Sequence, residues 1–308
     1  MENLELLYLK TITPLHVGGS FDSSIADLPI QRERAKSIPK IEASSLKGSL
    51  RHWLERDDEK LDKKKINAWF GTGKRKNLLA SDEEVIEEGE GQAEKTGSDH
   101  LSDSEGQKGE LVFTDARLLF FPVRSAKGIF AYVTCPFVVN RWLRDQAIIQ
   151  NPQAIGELKI PNENEIVLYS ELESLLEIKL HGTGNVVLEE LSFDKLEDPS
   201  FDKFIDALPE TLKDTIQERV ALVSDDNFIF FSKYSTELST RIRINPVTGV
   251  VEDGALFTEE YVPAEAVFYT MLSKEEEFLR VLPEYFQVGG NMTLGKGMME
   301  AIRDQGGQ

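Results

Sequence analysis

Cysteine is nearly missing from this sequence: Cys135 is the single one among 308 residues. No intrachain disulfide can form, zinc ribbons lack their paired thiols, and a reducing compartment is expected. Histidine is scarce as well. His16, His52, His100 and His181 are scattered, with no HExxH and no H-x-E joined to CxxC, which leaves zinc-protease and zinc-deaminase chemistry unsupported. No GxSxG elbow, Walker or dinucleotide spacing occurs, and no repeat of solenoid length is present. There is no run of eighteen apolar residues, and the opening MENLELLYLKTITPLHVGG has no basic leader and no long apolar run. The expectation is a cytoplasmic protein without membrane association.

Positive charge is short overall. The net of −19 repels phosphate at long range, yet the average hides a segregation. Residues 1–80 hold 15 Lys and Arg against 11 Asp and Glu, whereas residues 81–110 hold 2 against 11. Salt screens charges beyond roughly 8–10 Å, so a basic face near the N-terminus is compatible with an acidic chain.

What remains reads as a folded chain with one interruption. Ser81 to Glu110 is rich in Glu, Gly and Ser and cannot bury enough apolar surface to offset its ordering entropy, so it reads as a mobile acidic loop, either a solvated insertion or a regulatory segment. Strands are expected at Leu4 to Ile12, Leu111 to Val123, Gly128 to Cys135, Leu176 to His181, Val186 to Phe193, Phe228 to Lys233 and Ala266 to Leu272. Helices are expected over Ala43 to Glu55, with Leu46, Leu50, Trp53 and Leu54 on one stripe and Ser44 or Ser45 as cap, over Phe137 to Ile149, and from about Asp202 to Val220. This interleaving is an α+β pattern of ferredoxin-like type with long insertions.

Three constellations could carry chemistry. The first is the loop TPLHVGGSFDSSIADLPIQRER, anchored by Ile25, Leu28, Pro29 and Ile30. A loop of such length in a compact domain is commonly functional. Here His16, Gly18 and Gly19 allow backbone amides near a phosphate, and Asp27 precedes the cationic pair Arg32 and Arg34. One carboxylate beside guanidinium groups suits phosphodiester chemistry, as proton acceptor or as ligand to a divalent ion. The same residues would also arise if Asp27 capped a turn and the arginines paired with acids; Asp22 reads as a bystander. The second is SSLKGSLRHW, in which Lys47 and Arg51 share a helical face and could grip a polyanion, or form an ordinary solvated face. The third is QVGGNMTLGKGMMEAI, where Gly289, Gly290, Gly295 and Gly297 surround Thr293 and Lys296. Glycine there permits close approach of amides to phosphate, or plain hairpin geometry. Cys135 lies in the apolar YVTCPFVV, where buried packing outweighs nucleophilic duty.

Taken in order, TPLHVGG, ADLPIQRER, SSLKGSLR, FTDARLLFFPVRSAKGIFAYVTCP, ALFTEEYVPAEAVFY and QVGGNMTLGKG resemble the RAMP-superfamily subunit that forms the repeated backbone of type III-B (Cmr) CRISPR effector complexes. The resemblance spans almost the whole chain apart from 81–110 and about 150–175. It implies one RAMP domain over 1–308, with a modified RRM/ferredoxin-like core and a thumb-like hairpin, for which Thr240 to Tyr261 is the best candidate. It further implies copies stacked head to tail along a CRISPR RNA beside other Cmr subunits, and endoribonuclease cleavage of target RNA at regular intervals with a divalent metal ion, Mg2+ or Mn2+. Carried onto this sequence, the catalytic and metal-binding aspartate is Asp27. The RNA-binding positions are His16, Gly18, Arg32, Arg34, Lys47, Arg51, Gly289, Gly290, Thr293 and Lys296. Three other readings stand beside it: a purely structural RNA-binding subunit, a nuclease processing precursor CRISPR RNA with His16 as acid or base, and a nucleotide-binding enzyme using the glycine loop.

Overall fold

The structure, a computed structural model, describes residues 3–19, 26–56, 61–72, 106–180, 183–245, 247–251 and 256–303. Asp22, Ile25, His100, His181 and the expected acidic loop as far as residue 105 lie outside the described residues. The roots of that segment are placed: Thr72 N–H donates to the Gln107 carbonyl, and Gln107 N–H to the Thr72 hydroxyl, each at 2.8 Å. Residues 107–110 are therefore held against the end of a helix.

The strands are β1 (Leu4–Thr11), β2 (Lys40–Ile41), β3 (Ala116–Arg124), β4 (Phe130–Thr134), β5 (Glu165–Leu168), β6 (Ile178–Leu180), β7 (Thr183–Leu188), β8 (Leu191–Leu196), β9 (Val220–Leu222), β10 (Glu237–Arg241), β11 (Phe257–Tyr261), β12 (Val267–Ser273), β13 (Tyr285–Gln287) and β14 (Met298–Arg303). The helices are α1 (Ala43–Glu55), α2 (Lys63–Phe70), α3 (Pro136–Ile148), α4 (Pro199–Asp206), α5 (Glu210–Ile216), α6 (Asp225–Tyr234) and α7 (Glu276–Val281). One twelve-stranded sheet runs in the order β13-β14-β1-β12-β3-β4-β9-β5-β8-β7-β6, with β2 beside β3, while β10 and β11 form a separate two-stranded ribbon. Pairing is antiparallel except for β4 with β9 and β5 with β8.

Strands β1, β4 and β12 are buried over most of their length on both faces, which is why their sequences read as near-continuous apolar runs. Helix α3 lies on β3, and its fully buried Trp142 donates its indole N–H to the Tyr8 hydroxyl at 3.0 Å. Burial of an aromatic this large stabilises the fold by several kcal/mol, since truncation of such a residue costs about 3–5 kcal/mol. In the same layer Asp145 joins Arg117 (2.6 Å) and the Tyr269 hydroxyl (2.8 Å), so a buried carboxylate keeps its partners. Cys135 is buried at the start of α3, and burial pushes its thiol well above the usual range.

Four expectations need correction. Phe228 to Lys233 is helical, within α6. The Ser224 hydroxyl accepts the Asn227 N–H (3.2 Å), Asp225 and Asp226 occupy the first turn, and Phe228 and Phe231 are buried while Phe230 is exposed. The expected helix from Asp202 to Val220 is two helices and the start of β9, because Pro209 disfavours helical backbone at Leu208. Val186 to Phe193 is a hairpin of β7 and β8 turning at Glu189, whose φ is 49°. Finally, neither Ser44 nor Ser45 caps α1. Glu42 holds the cap position without a side-chain bond, and Asp115 accepts the Ala43 N–H from far along the chain at 3.0 Å.

Candidate nucleic-acid interface

Four chain segments converge where β1 ends, β11 begins to turn and β13 gives way to β14. Residue 15 bridges Val262 and residue 18 bridges Ile30. Gly19 N–H donates to Pro29 (2.8 Å) and Gln31 N–H to Val17 (2.8 Å), closing the long loop on itself. The carbonyl of His16 accepts the Gly290 N–H at 2.8 Å, and a Cβ on Gly289, whose φ is 82°, would collide with that same carbonyl. Glycine at 289 is thus required by the contact between the two loops. Gly18 and Gly290 both lie against the His16 ring, while Thr293 sits exposed on the short 3-10 turn Met292–Leu294.

Asp27 stands on the exposed side of this junction. The segment that carries it is zipped onto the ribbon strand β11: Leu28 N–H donates to Thr258 (3.0 Å) and Glu260 N–H to Leu28 (3.0 Å). One carboxylate oxygen of Asp27, Oδ2, accepts the Thr258 N–H at 2.8 Å. The side chain is therefore oriented by main chain at the foot of the ribbon. Among the described residues no group of three or more His, Cys, Asp or Glu comes together that could hold a metal ion. Asp27 offers a single carboxylate, which fits a hard divalent ion only where phosphate oxygens and water complete its shell.

Beneath Asp27 lies a buried polar cluster that sequence reasoning missed. Glu259 accepts from Arg241 Nε (2.7 Å), the Tyr261 hydroxyl (2.6 Å) and Asn291 Nδ2 (3.2 Å). The Tyr261 hydroxyl in turn accepts from Arg241 (2.6 Å) and Asn291 (3.0 Å). Burial would raise the Glu259 carboxyl, but the hydrogen bonds from Tyr261 and Asn291, with the charges of Arg241 and His16, hold it below the usual glutamate range. His16 is buried, with Nδ1 at 2.7 Å from the Glu260 carbonyl and its ring 5.5 Å from that of Tyr261. The doublet Glu259-Glu260, lying between Phe257 and Tyr261, is the signal: two adjacent acids on opposite faces of one strand both demand partners.

The cations divide by exposure. Arg34 is exposed in the turn after the loop. Lys296 lies with its ammonium 4.8 Å above the Tyr261 ring. Arg32 points inward, donating to Glu260 (2.5 Å), Ser37 (2.6 Å) and Ser232 (3.1 Å). On α1, Lys47 donates to the Leu111 carbonyl (2.8 Å), and burial lowers its ammonium below the usual lysine range. Arg51 donates to Glu55 (2.8 Å), Asn67 (2.9 Å) and the Gly71 carbonyl (2.5 Å), tying α1 to α2. Lys47 and Arg51 do share a helical face as their spacing predicts; Lys47 spends one ammonium N–H on the protein, and all three guanidinium nitrogens of Arg51 donate to it. The expected glycine, histidine and aspartate positions meet at one junction; Lys47 and Arg51 lie apart from it on α1.

The ribbon overlaps the segment Thr240 to Tyr261 and begins three residues earlier, at Glu237. Strands β10 and β11 pair from Glu237 with Tyr261 to Arg241 with Phe257, and Ile244 bridges Val251 farther out. Its outer part exposes Ile242, Ile244, Val247 (91 %), Val250 and Leu256.

A broad α+β sheet with a separate two-stranded ribbon, an oriented exposed carboxylate and glycine-bearing loops beside cations defines a class of scaffold that can hold a polyanion through its phosphates. The chain belongs to the RAMP superfamily, matching its sequence profile over residues 8–300, and the sheet is that family's ferredoxin-like core with insertions. It is 35% identical over 315 aligned residues to the CRISPR system Cmr endoribonuclease Cmr4 of Pyrococcus furiosus, covering 96% of this chain and 94% of that protein. It is 25% identical to the CRISPR system CMR subunit Cmr4 of Saccharolobus solfataricus, covering 95% and 94%. The crystal structure of oligomeric Cmr4 from Pyrococcus furiosus superposes with a TM-score of 0.68 at 26% identity over 100% of both chains. No described helix is long and apolar enough to cross a membrane.

Proposed function

We propose that this chain is the backbone subunit of a type III-B (Cmr) CRISPR effector complex, and that it cleaves RNA paired to the CRISPR RNA guide with Asp27 as catalytic carboxylate. Near-full-length similarity to a named Cmr endoribonuclease supports the assignment. The observation that carries the chemistry is the placement of Asp27, exposed yet oriented by Thr258 N–H at the root of a projecting hairpin.

RNA holds its own nucleophile, the 2′-hydroxyl, so cleavage requires that this oxygen be brought in line with the leaving oxygen and relieved of its proton. The ribbon β10–β11 is suited to act as the thumb that displaces a target nucleotide, its exposed valines and isoleucines meeting unstacked bases. Asp27 at its foot accepts that proton, the 2′-oxygen bonds to phosphorus as the bond from phosphorus to the 5′-oxygen breaks, and the departing oxygen takes a proton from water. Asp27 would be the residue to hold Mg2+ or Mn2+, and a bound ion would stabilise charge on the phosphate. Arg34, Lys296 and the amides around Gly18, Gly289, Gly290 and Thr293 are assigned to phosphates near the reacting centre. Lys47 and Arg51, each with N–H donors beyond those spent internally, are assigned to the guide backbone; Arg32 contributes its charge from within. Further copies of the chain stack head to tail, since a heterologous contact that does not close generates a filament along the guide.

His16 fits poorly as the acid or base of a precursor-processing nuclease, because its ring is buried and one nitrogen is occupied by the Glu260 carbonyl. The decisive experiment uses the assembled complex with guide, complementary target RNA and Mg2+. Asp27→Asn keeps the acceptor for Thr258 N–H and is expected to bind target normally while regular cleavage is lost. Undiminished cleavage would make the subunit a scaffold only.

A further inference from the structure

Glu260 makes more connections across the junction than any residue so far given a role. It lies on the ribbon strand β11 and is 5% exposed. Its Oε2 accepts the Ile30 N–H (3.1 Å), and its Oε1 accepts from Arg32 (2.5 Å) and the Thr236 hydroxyl (3.0 Å). Its backbone N–H donates to Leu28 (3.0 Å), and its carbonyl accepts the His16 Nδ1–H (2.7 Å). Because a carbonyl can only accept, this contact requires an N–H at Nδ1 of His16. One residue thus grips the segment carrying Asp27 at Leu28 and Ile30, the side chain of Arg32 beyond it, the start of the ribbon at Thr236, and the His16 loop. Through Arg32 the same knot reaches the end of α6 at Ser232 (3.1 Å).

We propose that Glu260 is a positioning residue: it fixes Asp27 and the His16 loop relative to the ribbon, so that a nucleotide displaced by the ribbon meets the carboxylate in register. The inference rests on the functional reading above. Asp27 has one side-chain anchor, on Thr258, and Pro29 between the two gripped residues adds no N–H of its own, so the attitude of Asp27 follows that of Leu28 and Ile30. Neutralising Glu260 leaves Arg32 without its buried counter-charge and weakens the hold on Ile30. Misplacement of a reacting group by about 1 Å costs on the order of 100-fold in rate, whereas a backbone-gripping contact elsewhere is untouched.

The test compares Glu260→Gln with Asp27→Asn in the assembled complex, measuring target affinity and single-turnover cleavage separately. Glu260→Gln is expected to slow cleavage on the order of 10- to 100-fold with affinity unchanged, and the double variant Glu260→Gln/Arg32→Gln, which removes the stranded charge, is expected to recover part of the rate. Full-rate cleavage by Glu260→Gln, or equal losses of rate and affinity, would overturn the positioning role. Full-rate cleavage by Asp27→Asn would instead overturn the functional reading beneath it. Should Glu260→Gln fail to assemble, Thr236→Val removes one hydrogen bond to the same carboxylate without burying a charge; a rate loss of a few-fold at unchanged affinity supports the proposal, and an unchanged rate refutes it.

Discussion

Two regions of this molecule carry charge toward the same polymer and are built differently. At the foot of the ribbon, Glu259 and Glu260 are buried and each is matched to an arginine, Arg241 at 2.7 Å and Arg32 at 2.5 Å. On α1, Arg51 and Glu55 pair at 2.8 Å with about a third of each side chain exposed, and Lys47 is held by a single carbonyl. The first arrangement fixes geometry at the cost of desolvating charges, which a reacting centre needs. The second leaves charge accessible on a sturdy helix, which suffices for contact with phosphates wherever they lie along the strand. Changes at the ribbon foot should therefore alter rate or integrity, and changes on α1 should alter affinity and its salt dependence.

The largest expected effect belongs to Asp27→Asn. Loss of a positioned proton acceptor lowers rate by about 10²- to 10⁴-fold, and equilibrium binding of target RNA should stay as in the parent. Next comes Glu259→Ala, which strands Arg241 inside the cluster and should lower unfolding free energy by about 3–5 kcal/mol, as measured by denaturant titration. A comparable loss on Arg51→Ala would erase the contrast, since its removal leaves no buried charge unpaired and roughly 1–3 kcal/mol is expected there.

Acid should separate the regions more gently. The Glu259 carboxyl is held below its usual range, because the bonds from Tyr261 and Asn291 outweigh burial. Its stabilisation is then complete above the ordinary glutamate value of about 4.3 and is lost as pH falls through the lower folded value. The stability gap between parent and Glu259→Gln should be constant above about pH 5 and close in stronger acid. A gap that widened in acid would reverse the assignment. The smallest effect is on α1: Lys47→Ala and Arg51→Ala should each reduce the slope of log affinity against log salt by about 0.7–0.9, equally for all guide sequences, with saturated cleavage unchanged. Sequence-selective loss would mean base contact in place of phosphate contact.

Much of the scaffold was legible in periodicity. Strands β1, β4 and β12 and helices α1 and α3 follow from apolar spacing, and the hairpin at Thr240 to Tyr261 from its turn flanked by extended runs. Short apolar runs misled where capping decided, as at α6, and a proline divided a helix that apolar spacing made continuous. At the junction, His16, Asp27 and the glycine loop were identified as residues, but their meeting depends on contacts 230 or more positions apart, such as Ile30 with Glu260 and Asp27 with Thr258. Glu259 and Glu260 escaped because an acid's role depends on partners brought by the fold. Spacing alone likewise put Arg51 on an open face, and only the fold supplies Asn67 and Gly71 to hold it.

A structure of the assembled complex with guide and a target carrying a 2′-deoxy nucleotide at the cleavage position would test the central claim most directly. The account predicts the ribbon β10–β11 inserted at that nucleotide, the Asp27 carboxylate beside the missing 2′-oxygen or sharing a cation with the adjacent phosphate, and the guide phosphates along Lys47 and Arg51. An Asp27 side chain turned away from an uncleaved strand, with another group against that phosphate, would contradict it.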